Sequence, residues 1–299
     1  MSVDLHELVK NTVDMHVHCV PDASLKHRQT RSNKQMIEEC RQAGMHGFVL
    51  KTHAWPNIGL AKELDSQYDD FRVYSSATLN TFSGGPYPWV AEIAAGLSVE
   101  VLWLPTWTST NEHKNGGFVD LIEVDDLRKK MENQGMSDPF VPIRDESGKL
   151  MDYIKGVVDV CKEHDIVLCT GHIDSDDSLA VANYAHEVGY KKLCITHPFH
   201  LACYSSKERM KEMAELGAHL ELCASTVGPM YGCTTIEATV ETIKFVGVEH
   251  FYSGTDHFWD WEPSLPESLY QYFGCLYDAG LTYEELVSIS THWKQLLRE

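Results

Sequence analysis

Short apolar, β-branched runs alternate with longer amphipathic ones along nearly the whole chain, and this alternation limits the fold more than any other feature of the sequence. The strand-like runs are Thr12–Cys19, Gly47–His53, Arg72–Leu79, Val99–Thr106, Ile166–His172, Leu193–His197, His219–Ala224 and Phe251–Asp256, eight in all. Between them, apolar residues recur at three- and four-residue spacing, as in Lys34–Ala43, Leu150–Glu163, Ser178–Val188, Ser206–Leu216 and Ile236–Val246. That is the period of a helix that buries one face. Gly44, Gly189, Gly217 and Gly247 each follow such a segment, where a left-handed residue ends a helix most cheaply. Eight strand–helix units predict an α/β chain folded as a (β/α)8 TIM-like barrel, regular or distorted. A doubly wound open sheet is the alternative, but no Gly-rich phosphate loop follows the first strand.

Two segments interrupt the rhythm. Trp107–Lys149 is long and polar, and ends in a hairpin pattern around Asp145–Gly148. Placed after the fourth strand, it reads as a lid-like insertion (107–149) within one barrel domain spanning 1–299. Beyond the eighth strand, Ser264–Ala279 and Tyr283–Leu297 read as C-terminal helices. The aromatic residues at Trp259 and Trp261 would suit a homo-oligomer interface.

Charge and cysteine usage narrow the partners. A formal net charge of -19 opposes nucleic acid and anionic membrane, which both need positive surface. No run approaches the roughly 20 apolar residues of a membrane span, and the N-terminus lacks the basic-then-apolar order of a secretion signal. Nine cysteines occur without a CxxC pair. These features predict a cytoplasmic protein acting on a small molecule.

The chemistry lies at the strand ends. The first strand closes on DMHVH, so His16 and His18 share one side; the second closes on LKTH, so Lys51 and His53 do likewise. The fifth ends at His172, the sixth at His197 and the eighth at Asp256. In a parallel barrel these ends converge on one face. Each histidine alone reads more readily as a hydrogen-bonded structural residue. The full set does not, because so many buried imidazoles without a cation would leave polar atoms unsatisfied. Imidazoles with one carboxylate suit a catalytic divalent ion, zinc first, with manganese or iron as alternatives.

HxH on the first strand, single histidines on the fifth and sixth and an aspartate on the eighth together resemble the metal-dependent amidohydrolase superfamily, in an uncharacterised branch of it. The resemblance runs from Asp14 to Asp256. It implies hydrolysis of an amide, lactam or ester-type bond, with one or two divalent ions held by His16, His18, His172, His197 and Asp256. Asp256 would relay the proton of the attacking water. The pattern departs from two-metal relatives at the fourth strand, which ends WLPTW where a carboxylated lysine is usual. Lys51 is the lysine placed to replace it. Three roles stand open: a carbamate bridging two ions, an ammonium holding a substrate carboxylate, or a salt bridge beside a ligating His53. His113, in the insertion, reads equally as a substrate-polarising residue and as a surface histidine. Two other chemistries remain: a PHP-type phosphoesterase, which shares the DxHxH start but not the D-x-H end, and a metal-dependent decarboxylase. A non-catalytic binding protein should have lost one of these residues, and none is missing.

Overall fold

The structure is a computed structural model and describes residues 4–10, 12–22, 31–114, 133, 140–228, 232–257, 259 and 261–298, the side chain of His113 excepted. The eight strands are β1 (Val13–His18), β2 (Gly47–Lys51), β3 (Arg72–Thr78), β4 (Val101–Trp103), β5 (Val167–Cys169), β6 (Leu193–Ile195), β7 (His219–Cys223) and β8 (Phe251–Gly254). They form one sheet in sequential order, each neighbouring pair parallel. β8 returns to β1 through a parallel bridge between Val17 and His257. There the His18 amide donates to the His257 carbonyl at 3.1 Å and the Asp256 amide to the His16 carbonyl at 2.9 Å. The expected (β/α)8 TIM-like barrel is therefore the observed fold.

Period-two alternation divides the side chains between two cores. Val13, Met15, Val49, Trp103, Val167, Cys169, Cys194 and Tyr252 fill the barrel interior, and Trp293, Leu296 and Leu297 from the C-terminal segment join them. Phe48, Leu50, Leu102, Leu168, Leu193, Leu220, Leu222 and Phe251 face outward against the helices. The helices of the chain begin with α1 (His6–Val9), α2 (Asn33–Gln42), α3 (Ile58–Asp65), α4 (Pro88–Gly96), α5 (Thr110–Lys114) at the barrel mouth, α6 (Asp152–Glu163) and α7 (Ser175–Val188). After them come α8 (Lys207–Glu215), α9 (Ile236–Val246), α10 (Leu265–Asp278) and α11 (Tyr283–Thr291). Capping side chains define several starts: Ser32, Asp174, Ser206, Thr235 and Thr282 each accept an amide of the first turn, worth about 1 kcal/mol apiece.

Boundaries shift in an informative way. α7 begins three residues before the expected Ser178, because Asp174 caps it and Asp176 and Asp177 occupy its first turn, where negative charge is favoured by the helix dipole. The strands are shorter than their apolar runs. His53, His172, His197 and Asp256 lie two or three residues beyond the last paired residue, in the first turn of each connection. Backbone there is sharply bent, with φ +63° at Gly171, +22° at His197 and +55° at Asp256. The hairpin at Asp145–Gly148 forms, closed by an antiparallel bridge between Arg144 and Leu150. Most of the expected lid, 107–149, lies outside the described residues.

Candidate metal centre

Closing the barrel assembles the site. The pairing of β1 with β2 slips in register between Asp14 and Val17. Asp14, fully buried, holds this bend by accepting from the His16 amide at 3.1 Å and from the Thr255 amide and hydroxyl at 2.9 and 2.6 Å. Val17 and Cys19 then join the outer core, while His16 and His18 lie among the side chains at the barrel mouth. β8 must come close here. A Cβ on Gly254 would lie 3.0 Å from both the Glu221 carboxylate and the His16 Cβ, so any larger residue would press on both.

Five imidazoles form a continuous ring. His16 lies 5.3 Å from His18 between ring centroids, His18 lies 4.7 Å from His53, and His53 lies 5.3 Å from His172. His172 lies 5.0 Å from His197, which returns to His16 at 5.8 Å. All five are at most 4% exposed. Carboxylates grip Nδ1 of three of them: Glu221 on His16 at 2.9 Å, Asp22 on His18 at 2.6 Å and Glu112 on His172 at 3.0 Å. Such partners fix the tautomer and turn the Nε2 lone pair inward. Asp256 Oδ1 stands 2.9 Å from Nε2 of His18 and 3.1 Å from Nε2 of His16. Ligand atoms of His16, His18 and Asp256 lie within 4.8 Å of one another, as do those of His16, Glu221 and Cys223 one layer deeper.

Lys51 lies inside this ring without any exposure. Its Nζ is 2.7 Å from Nε2 of His16 and 4.6 Å from the Trp103 ring centroid. Burial lowers the lysine pKa, against the pull of Asp256, Glu221 and Asp22. Burial pushes Glu221 up to about 8, opposed by the His197 amide that donates to it at 2.7 Å. Burial would also raise Asp256, but His16, His18 and Lys51 outweigh it and hold the carboxyl well below its usual range. His16 is held well below its ordinary value by burial and then by Lys51. At His18 burial is overcome by Asp22 and Asp256, and the pKa rises. His197 Nδ1 is a buried nitrogen with no hydrogen-bond partner among the described residues.

Each singled-out residue has a place. His16, His18, Lys51, His53, His172, His197 and Asp256 come together, although they come from two strands and four connections. His113 belongs to α5, but its side chain lies outside the described residues; its neighbour Glu112 is the group that reaches His172. His257 turns to Arg31 and to the Pro263 carbonyl. His200 packs 5.0 Å from His197 and accepts the Ala202 amide on Nδ1. Trp107 stacks on His53 at 5.1 Å, with Phe82 and Trp55 beyond it. Sequence reading missed the three gripping carboxylates. Glu221 had a signal: a lone acid between Leu220 and Leu222, which face outward, must face inward. Asp22, in a loop, and Glu112, in the five-residue α5, lie in sequence that carried none.

A protein-family model, Family of unknown function (DUF6282), matches residues 11–221, which include every β-strand through most of β7. The chain belongs to that family. No curated protein matches its sequence. Among solved structures, the probable dipeptidase PvdM from Pseudomonas aeruginosa is similar with a TM-score of 0.63 and 11% identity, over 98% of this chain and 95% of that one. An amidohydrolase from Pseudomonas aeruginosa gives 0.56 and 12%, over 99% and 98%. A 2,6-dihydroxybenzoate decarboxylase from Rhizobium gives 0.55 and 10%, over 96% and 98%. At such identities the likeness is one of fold. Among the described residues no helix is long and apolar enough to cross a membrane.

Proposed function

We propose that this chain is a metal-dependent hydrolase of the amidohydrolase type, cleaving an amide, lactam or ester-type bond in a small molecule. The observation that carries the reading is Asp256 Oδ1 set 2.9 and 3.1 Å from two imidazole nitrogens whose other ring nitrogens already face carboxylates. A carboxylate oxygen and two inward lone pairs repel one another unless positive charge lies between them. A proton on His18 would relieve one of the two contacts and a Lys51 ammonium, 2.7 Å from Nε2 of His16, the other; a divalent cation relieves both at once. Nδ1 of His197, without a partner among the described residues, is a further donor atom that a cation would satisfy.

His16, His18, His172, His197 and Asp256 would hold the ion, and imidazoles with one carboxylate favour zinc, with manganese or iron as alternatives. Trp103 ends β4 where a bridging acid would stand. A second ion would therefore call on Lys51 to become a carbamate, whereas an ammonium at Lys51 goes with one ion. When bound, the cation supplies Lewis acidity to the scissile carbonyl and lowers the pKa of water. Asp256 takes the proton of the attacking water and returns it to the leaving group; Ser225 donates to its Oδ2 at 3.2 Å and orients the carboxylate.

Decarboxylation is the second reading. Lys51, buried beside His16, is placed to bind a substrate carboxylate, and one similar fold is named a decarboxylase. A phosphoesterase is disfavoured, since His257 is engaged away from Asp256. The nine free cysteines suit a reducing cytoplasm.

The test has two steps. Metals per chain are counted by elemental analysis on protein purified without chelator, and the loaded protein is screened on amides, lactams, esters and aromatic acids. Asp256→Asn should then lower turnover about a thousandfold while keeping most of the metal. Undiminished turnover in that variant removes Asp256 from the chemistry.

A further inference from the structure

His53 differs from its neighbours in what holds its ring. Nδ1 faces the Thr106 hydroxyl at 2.9 Å, not a carboxylate. The direction of that hydrogen bond follows from the groups behind it. Asn80 Oδ1 accepts the Thr106 and Thr108 amides and the Thr108 hydroxyl, all at 3.0 Å. Two main-chain donors on one atom fix the orientation of the amide. Asn80 Nδ2 then donates to the His53 carbonyl at 2.8 Å and to Thr106 Oγ1 at 3.0 Å. Thr106 is fully buried. Its hydroxyl oxygen is thus an acceptor toward Asn80, and the contact with His53 Nδ1 satisfies its own proton when that ring nitrogen accepts. A buried hydroxyl proton left unbonded would cost about 1–3 kcal/mol.

His53 Nδ1 is therefore the acceptor, and the neutral ring carries its hydrogen on Nε2. An N–H cannot ligate a metal. We propose that His53 is a hydrogen-bond donor to a carbonyl oxygen of the substrate and not a metal ligand, an inference that rests on the proposed metal site. Its position suits the task. The ring lies 4.7 Å from His18 and 5.3 Å from His172. Its main chain is pinned at both ends, the amide by both oxygens of Asp22 at 3.0 Å and the carbonyl by Asn80. Trp107 stacks against the ring. A donor fixed on every side needs no reorganisation as negative charge builds on the oxygen it faces.

Three measurements on the full-length protein decide it. In long-range ¹H–¹⁵N spectra of histidine-labelled protein, the resonance lost in His53→Gln should show the hydrogen on Nε2. Thr106→Val should disturb that pattern and Thr106→Ser should restore it; a hydrogen on Nδ1 in the native protein overturns the proposal, with or without metal. In zinc competition titrations, His53→Ala and His53→Gln should keep native affinity within about threefold, while His18→Gln loses on the order of a hundredfold. A loss in His53→Ala equal to that of His18→Gln makes His53 a ligand and overturns the proposal. Finally, zinc-loaded His53→Ala should bind acetohydroxamate about tenfold more weakly, with partial recovery in His53→Gln; equal binding by all three proteins removes the donor role. A native protein that binds no zinc would sink the metal reading instead, and the spectra would still report the tautomer.

Discussion

Histidines gather at both ends of this barrel, and the two groups differ in what holds the imidazoles, not in how deeply they are buried. At the bottom, His292 is 2% exposed, no more than His172 at the mouth with 4%. His219, at the start of β7, donates Nε2–H to the Lys191 carbonyl at 2.9 Å and accepts on Nδ1 from His292 Nε2 at 2.7 Å. His292 Nδ1 ends that chain as a buried acceptor without a partner among the described residues. His46 nearby stacks on Trp293 at 4.6 Å. The His219–His292 pair is held by a backbone carbonyl and by each other, and His46 packs on an aromatic face. At the mouth, Asp22, Glu112 and Glu221 grip three rings, and a fourth carboxylate, Asp256, stands on the inner side. Carboxylates behind an imidazole raise the basicity of its far nitrogen. A hydrogen-bonded pair without them is packing.

Metal removal should separate the two ends most sharply. With free zinc a thousandfold above its dissociation constant, chelation should destabilise the native protein by about 4 kcal/mol. In His18→Ala, with a site about a hundredfold weaker, the same treatment should cost only about 1.4 kcal/mol, and calorimetry or urea unfolding reads both. If His18→Ala loses as much on chelation, the ion sits elsewhere. Next in size, His16→Ala should weaken zinc binding on the order of a hundredfold, whereas His292→Ala should leave it within about threefold and cost about 1–3 kcal/mol of stability instead. Equal effects on zinc would erase the distinction between mouth and bottom. Glu221→Gln keeps the shape but removes the charge behind His16, and should weaken zinc about tenfold.

The smallest effect belongs to the bottom. Burial, with His219 and His250 beside it, lowers His292 to about 3, while an unfolded histidine titrates near about 6.5. Because the folded value is the lower one, this stability is whole above the unfolded pKa and is lost as pH falls from there toward about 3. Urea midpoints measured between those limits should fall less steeply in His292→Phe than in the native protein. An unchanged slope would mean that the His219–His292 pair opens before it protonates.

Much of this was legible in the sequence because two periodicities write it there. Alternation placed Lys51 beside His53 and His16 beside His18, and barrel topology alone brought Asp256 back to them. The register slip at Asp14 was not legible, since it depends on Thr255, far along the chain, supplying two hydrogen bonds. Nor were the tautomers. His53 reads as a ligand candidate in the sequence, and only the chain from Asn80 through Thr106 assigns its proton. Asp22 and Glu112 were invisible for a related reason: a carboxylate in a loop or in a five-residue helix shows no periodicity, and its role is set by where the chain folds back.

The most direct measurement is anomalous diffraction at the zinc edge from crystals of zinc-loaded protein. The expected result is a peak about 2.0–2.2 Å from Asp256 Oδ1 and from Nε2 of His18, with none between His219 and His292. A mouth without a peak at full zinc loading, or a peak at the bottom pair alone, would contradict the assignment of the mouth as the metal centre.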